Sequence, residues 1–569
     1  MFFKLVTYFS FVLMIHSTNA MAGISLSLDS RGDPVVEYSS RPPSEMINFV
    51  DIDRQTYEVV RSKAWEVLGA CAMDLNHLGM SLRDCPNPRF KLSWDGVVID
   101  RRYPPVVKLK NGGSLVFTQY LNARDANGLE DWTVRAPRNG IAVFQNNRSN
   151  ANLHISGDVF KKDGRGWVYL GPDTFAKNDN INLLVDTGIP ESVRGSFERL
   201  VPAVISQHTN RLRSALLTVP SLYVIWGDRD KPSKSFQADT AAGNVLRFSL
   251  SGAGWNDASV ETLENLRSVI AHELSHLWNA GLFSSEQSKA PWLHEGNAEL
   301  LSINALHALG LLSESSVANR VNGAIAQCIY LSRNRSWVAI AERNRGSIPY
   351  ACGLTIQFAL VAFSENSDGN ESSYEFWRKL WALFPAYDES KLLEFVGTSQ
   401  SMAVSNALRS LLFDGGPSFA DALKTLLAAR KVVIQESSQT PASLNRNIKN
   451  DLLQVLLSAD CSTPPRYIVF DDKVQLSEAI SCEHFKPAIN ITSIQGLSLT
   501  ADAMQIVDAI ESACSLPSAT YGVKYSMGET IQIPCGAEIA KKLPKKPLLF
   551  YLRNADIERT FEAHARAVQ

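Results

Sequence analysis

The chain has 569 residues, too many for one hydrophobic core; at about 150 residues per domain it would divide into three or four units. Hydrophobic residues make up 45% and charged residues 20%, the balance of a soluble globular protein. With 56 Lys plus Arg against 58 Asp plus Glu the formal net charge is −2, and no basic run exceeds Lys541-Lys542 or Lys545-Lys546, which argues against a nucleic-acid partner.

Residues 1–22 read as a signal peptide. Lys4 precedes an apolar stretch from Leu5 to Ile15, and Ala20-Met21-Ala22 supplies a small-residue cleavage site before Gly23. The stretch is shorter than the roughly 20 residues that span a bilayer, and no later segment is long and apolar enough. The expectation is an exported chain, periplasmic or extracellular, with no stable membrane span after signal cleavage. Its cysteines are Cys71, Cys85, Cys328, Cys352, Cys461, Cys482, Cys514 and Cys535. An even count in an oxidising compartment points to disulfides, and none of these residues forms a CxxC motif. Sequence leaves the connectivity open; nearest-neighbour pairing is the working expectation.

Residues 23–190 read as an N-terminal accessory domain, mixed and β-rich. An amphipathic stretch from Asp53 to Asp74 suggests a helix. Strand-like runs follow at Gly96 to Ile99, Val106 to Leu109 and Ser114 to Tyr120, separated by turn clusters such as Asn111-Gly112-Gly113. From residue 191 the pattern changes. Glu191 to Leu216 carries apolar residues at helical spacing, and Leu222 to Trp226 and Val245 to Leu250 are strand-like. Helical stretches then run over Ser259–Asn279, Trp292–Leu309, Ser316–Leu331, Tyr350–Phe363, Tyr374–Phe384 and Phe419–Ala429. A small sheet followed by many helices is an α+β arrangement, assigned to residues 191–435. Residues 436–450, polar and containing Pro441, read as a linker. Residues 451–569 hold four cysteines and read as a small disulfide-containing α+β domain.

The segment that carries chemistry is His272-Glu273-Leu274-Ser275-His276. On a helix, residues four apart share a face, so both imidazoles can reach one metal ion. Glu273 projects beside that ion, where it can deprotonate a water. Eighteen residues separate His276 from Glu295 in Pro291-Trp292-Leu293-His294-Glu295-Gly296, enough for a loop and the first turn of a second helix. Two neutral imidazoles and one carboxylate leave a fourth tetrahedral position open, as a catalytic zinc requires. Glu299, on the same helix as Glu295, can accept the outer N–H of a ligating histidine; alone it would read as a solvated carboxylate. His294 shows no ligand spacing and receives no role.

HELSHLW, an eighteen-residue gap and then WLHEG resembles the aminopeptidase-N family, whose pattern is HExxH, eighteen residues, and a Glu within W-L-x-E-G. His276-Leu277-Trp278-Asn279 resembles the H-x-W-N of the glycyl aminopeptidases. Both are gluzincins, and the resemblance, over roughly residues 240 to 365, implies a thermolysin-like catalytic domain with one Zn2+ per chain. Ile348-Pro349-Tyr350-Ala351-Cys352-Gly353 is similar to the P-Y-x-x-G that follows the zinc ligands in the aminopeptidase-N family, which implies that Tyr350 donates to the oxyanion. One departure lies upstream. The family's G-x-M-E-N places an amine-binding Glu before an edge strand. Here Asp239-Thr240-Ala241-Ala242-Gly243-Asn244 leads into Val245 to Leu250, taken as the edge strand, and Ala241 falls where that Glu stands. Asp239 is the alternative anion nearby.

These residues imply zinc-dependent hydrolysis of a peptide or protein substrate, with His272, His276 and Glu295 as ligands and Glu273 as general base, by an enzyme that is not a strict aminopeptidase. The alternative is an inactive zinc-binding homologue serving as a protein-interaction module. Glu273 argues against that, because a structural site has no use for a base.

Overall fold

A computed structural model describes residues 23–39, 47–49, 64–69, 72–76, 79–83, 87–93, 104–125, 128–160, 166–176, 178, 180–227, 229–230, 234–241, 245–285, 290–362, 373–437, 441–462, 467–469, 472–476, 481–486, 489–516, 518–536, 539–546 and 549–565. The signal segment, the Gly96 to Ile99 run and the Cys71/Cys85 pair lie outside them. The architecture is α+β, strand-rich in the N-terminal region and helical towards the C-terminus. It forms two compact units, one of residues 1–198 and 218–260, the other of residues 199–217 and 261–569.

The first unit is built of sheets. One has six strands, in the order Asn152–Ile155, Asp131–Arg135, Gly23–Leu28, Pro34–Ser39, Arg89–Leu92, Trp65–Leu68. A five-stranded sheet contains Ser114–Phe117, Ile141–Phe144 and Trp167–Gly171, which are buried along their whole length because both faces are covered. Where a helix was expected over Asp53 to Asp74, the described part is strand: Trp65–Leu68 and the start of Ala72–Asn76. The β-branched and aromatic residues there pair across strands, and that pairing overrides the amphipathic spacing.

A four-stranded sheet also belongs to this unit, in the order Asn182–Val185, Ser221–Gly227, Val245–Ser251, Ser235–Ala241. Its first three strands are parallel and the last is antiparallel. Two expectations change here. Val245–Ser251 is an interior strand, and the edge is Ser235–Ala241. The division also does not fall at residue 190, because Leu184, Tyr223, Ile225 and Val245 share one apolar core with the N-terminal sheets.

The second unit is helical. It contains most of α1 (Glu191–Leu212), and then α2 (Val260–His276), α3 (Pro291–Ala308), α4 (Glu314–Ser332) and α5 (Ile348–Val361). After these come α6 (Ser373–Leu383), α7 (Glu389–Ser399), α8 (Met402–Phe413), α9 (Phe419–Ala429), α10 (Ala442–Asp460), α11 (Ala503–Ala513) and α12 (Asn554–Ala565). Starts follow local chemistry. Proline opens α3 and α5, where its missing N–H costs nothing, and the side chains of Ser313, Asp388, Ser401 and Ser418 cap α4, α7, α8 and α9. Helices α3 and α5 are buried nearly all round and lie in the core. They touch at Gly296 and Gly353. A Cβ on either would run into the other helix's backbone, at Gly353 or at the Trp292 carbonyl. Cys328–Cys352 bridges α4 to α5, while Cys461–Cys482 and Cys514–Cys535 staple the C-terminal region.

The described part of the expected linker, 436–437 and 441–450, is structured. Ile434–Ser437 pairs antiparallel with Leu549–Leu552, and residues 442–450 open α10. Polar composition hid a buried stripe, Leu444, Ile448, Leu452 and Leu456, four residues apart along one helix face. That stripe joins a core with Ala326 of α4 and the C-terminal sheet, so residues 451–569 are not a separate body.

Candidate active site

Helix α2 has no Pro or Gly and buries Leu266, Ile270 and Leu274 at fourfold spacing. That stripe fixes its rotation and puts His272 and His276, both buried, on one face. It runs directly into a π-helical turn, Leu277–Leu282. Such turns are rare and concentrate at functional sites. The first turn of α3 brings Glu295 to the histidine pair, and the first turn of α5 brings Tyr350.

The three candidate ligand atoms converge. His272 Nε2 lies 3.1 Å from His276 Nε2 and 3.1 Å from Glu295 Oε2, and His276 Nε2 lies 3.4 Å from the same oxygen. A tetrahedral ion with ligands at about 2.0–2.1 Å has edges of roughly 3.3–3.4 Å, so the triangle fits zinc with a fourth position left over. The donor set itself calls for a cation: two ring nitrogens and a carboxylate oxygen crowd one point.

Each imidazole is held from its far side. His272 Nδ1 lies 3.2 Å from Glu299 Oε1, and His276 Nδ1 donates to Asn279 Oδ1 at 3.0 Å. These contacts leave Nε2 as the free ligand atom on both rings. Asn279 is fixed in turn, its amide donating to the His294 carbonyl and to Asn297 Oδ1, each at 2.9 Å. The ring of His294 stacks on that of His276, with centroids 4.1 Å apart. Burial, helped by His276, lowers His294 to about 3, so it is a neutral plate beside the site.

The electrostatics favour positive charge at the centre. Burial opposes charge on His272, yet Glu299 and Glu295 raise its pKa well above the ordinary value. Burial likewise works against the Glu295 carboxylate, but the two histidines hold it well below the usual range. Tyr350 is partly exposed, its ring centroid 5.6 Å from that of His272. Desolvation and the charges of Glu295 and Glu273 raise its pKa, so it stays a donor. Glu273 is half-buried, and its charge acts on both His272 and Tyr350.

The structure thus brings His272, Glu273, His276, Glu295, Glu299 and Tyr350 into one cluster. Sequence reasoning missed Asn279, although it stood in the H-x-W-N stretch, and it missed the stacking role of His294. It also missed His208 on α1, which sits behind α2 with Nε2 3.1 Å from Ser275 Oγ and Nδ1 3.0 Å from the Tyr374 hydroxyl. Ser275 donates to the Ala271 carbonyl, so His208 Nε2 is the donor and Nδ1 accepts from Tyr374.

No protein-family model and no curated protein matches the sequence. Among solved structures, the chain is similar to an aminopeptidase N family protein from Idiomarina loihiensis, with TM-score 0.57 and 10% identity over 95% of this chain and 100% of that one. The chain shares the fold of that aminopeptidase N family protein. Looser matches include LTA4 hydrolase from yeast (TM-score 0.39, 12% identity, 77% of this chain and 72% of that one). Another is an M1 zinc metallopeptidase mutant from Deinococcus radiodurans bound to a Tyr-Ser-Ala substrate (TM-score 0.36, 12% identity, 69% and 94%). Neither of these two adds to the fold assignment.

Proposed function

We propose that this chain is an exported, zinc-dependent peptidase that binds one zinc ion through His272, His276 and Glu295 and uses Glu273 as general base. The observation that carries the reading is the convergence of three ligand atoms at 3.1–3.4 Å, each histidine being held from behind so that its Nε2 faces the centre. Zinc, when bound there, polarises the peptide carbonyl and lowers the pKa of water. Glu273 takes the proton of the attacking water and passes it to the leaving amine. Tyr350 donates a hydrogen bond from its hydroxyl to the oxyanion as charge develops. Glu299 and Asn279 keep both histidines in the ligating tautomer.

The exopeptidase question turns on the anion that would hold a substrate amine. The stretch 239–244 has no glutamate and offers only Asp239, on the edge strand, where a buried substrate ammonium needs a paired anion. The reading is therefore an enzyme that does not require a free N-terminus. Export is supported by three disulfides, and no helix among the described residues is long and apolar enough to cross a membrane.

A peptide library digested with and without a zinc chelator tests the reading. The wild-type protein should cleave only when zinc-loaded, and N-acetylated peptides should be cleaved as fast as free ones. Glu273→Gln should keep its zinc by elemental analysis and lose about 10²–10⁴ in turnover. Near-native turnover in that variant would sink the mechanism.

A further inference from the structure

A cavity of about 1010 Å³ lies within the second unit, and its wall includes Tyr350 and Glu299 of the candidate active site. That volume is at the upper end of the roughly 300–1,000 Å³ of small-ligand sites, which suits an oligopeptide. Arg320 of α4 lies in the same wall, half-buried. Among the described residues it makes no hydrogen bond and no ion pair; Glu299 and Glu264 act on it only through space. The other cation of the wall, Arg553, is engaged, with Nε and Nη2 each 3.1 Å from the Asp556 carboxylate. Glu261, the remaining wall carboxylate, is exposed, and Glu299 faces His272.

The amides of the wall divide in the same way. Asn322 is spent on the Leu552 backbone and Gln327 on Asn447. The side chains of Asn265, Asn319 and Gln435, all exposed, have no hydrogen-bond partner among the described residues. A guanidinium with no protein partner and several solvent-facing amides make a recognition set for a carboxylate followed by peptide groups.

We propose that this cavity takes the half of the peptide on the carboxyl side of the cleaved bond, and that Arg320 binds its C-terminal carboxylate. The inference rests on the peptidase reading above. A peptide carries an ammonium at one end and a carboxylate at the other. The cavity meets the reaction centre at Tyr350, and Arg320 is the cation in its wall that a terminal carboxylate can pair with. A half-buried guanidinium also bears a desolvation cost that an incoming carboxylate offsets through two parallel hydrogen bonds.

The test compares tri- to pentapeptide libraries as free acids and as C-terminal amides on the zinc-loaded full chain, read by mass spectrometry, with kcat and KM for one substrate of each kind. Wild-type protein should prefer the free acid by roughly ten- to hundredfold in kcat/KM, mostly through KM, the expected strength of a charged hydrogen bond. Arg320→Gln should level the two, and Arg320→Lys should retain part of the preference. Equal cleavage of acid and amide by the wild type, or a preference that survives Arg320→Gln, would overturn the assignment. Calorimetric binding of the same pairs to the Glu273→Gln protein needs no turnover. Equal Kd values there count against the carboxylate site, whereas unequal Kd values with no wild-type cleavage count against the peptidase reading and leave the site standing.

Discussion

His208 shows how a residue outside the chemistry governs the ground on which it stands. Burial pushes its pKa down to about 3, from about 6.5 in an unfolded chain. Between those values the unfolded chain takes up a proton that the folded one refuses. The stability tied to neutral His208 is therefore complete above pH 6.5 and is lost as pH falls towards 3, a few kcal/mol at most. Melting temperature followed against pH, with chelator present so that metal loss does not contribute, should fall less steeply for His208→Gln than for wild type. Identical slopes would remove His208 as the responsible group. At this scale the sequence was readable where chemistry is local. His272, Glu273 and His276 lie within five residues, and Glu295 and Glu299 within one helical turn of each other. Asn279 and His294 act through partners whose geometry depends on the π turn and the crossing of two chain segments, and His208 reaches Ser275 from 67 positions away. No short pattern encodes the contacts of His294 and His208.

Among the elements, the crossing of α3 and α5 explains two glycines that the motifs contain. Gly296 follows Glu295 directly, and Gly353 lies one turn beyond Tyr350. Their contact lets the helix backbones approach closely enough for both side chains to face one centre. Gly353→Ala should force α5 away from α3, at about 1–3 kcal/mol of stability. Its zinc content should be unchanged, because the ligands sit on α2 and α3, while kcat/KM falls as Tyr350 leaves its place. A variant with native melting temperature and native turnover would show that the crossing is not tight. The long amphipathic helices were legible from their 3.6-residue period. Ser235–Ala241 was not, since Ser235, Gln237 and Asp239 alternate with Phe236, Ala238 and Thr240, a weak apolar face, and an edge strand does not need a stronger one.

Taken whole, the molecule is less divisible than its composition suggests. The polar stretch around Pro441 reads as a tether, yet α10 carries a leucine-rich face into the core that it shares with α4 and the C-terminal sheet. Each such large side chain is worth about 1.5–3 kcal/mol when buried. A fragment of residues 191–435 should therefore expose Ala326 and its neighbours, bind a hydrophobic dye and aggregate. A monomeric fragment that melts cooperatively would show that α10 is dispensable. Sequence could not reveal this, because a helix that is polar on three sides looks like a linker until its fourth side has a partner.

The bridge between Cys328 and Cys352 also sets an order of events. It closes a loop across a separation of 24 residues, worth about 3 kcal/mol in chain entropy, and it fastens the helix that carries Tyr350. None of the metal ligands lies on either bridged helix. On the proposed assignment, metal loading would not depend on this bridge, whereas the placement of Tyr350 would be firmer with it. Replacing Cys328 and Cys352 together by Ala should give a protein with full zinc, a lower melting temperature and weakened turnover. On the peptidase reading proposed above, the reduced chain would hold zinc at lowered turnover, and closing the bridge would raise it.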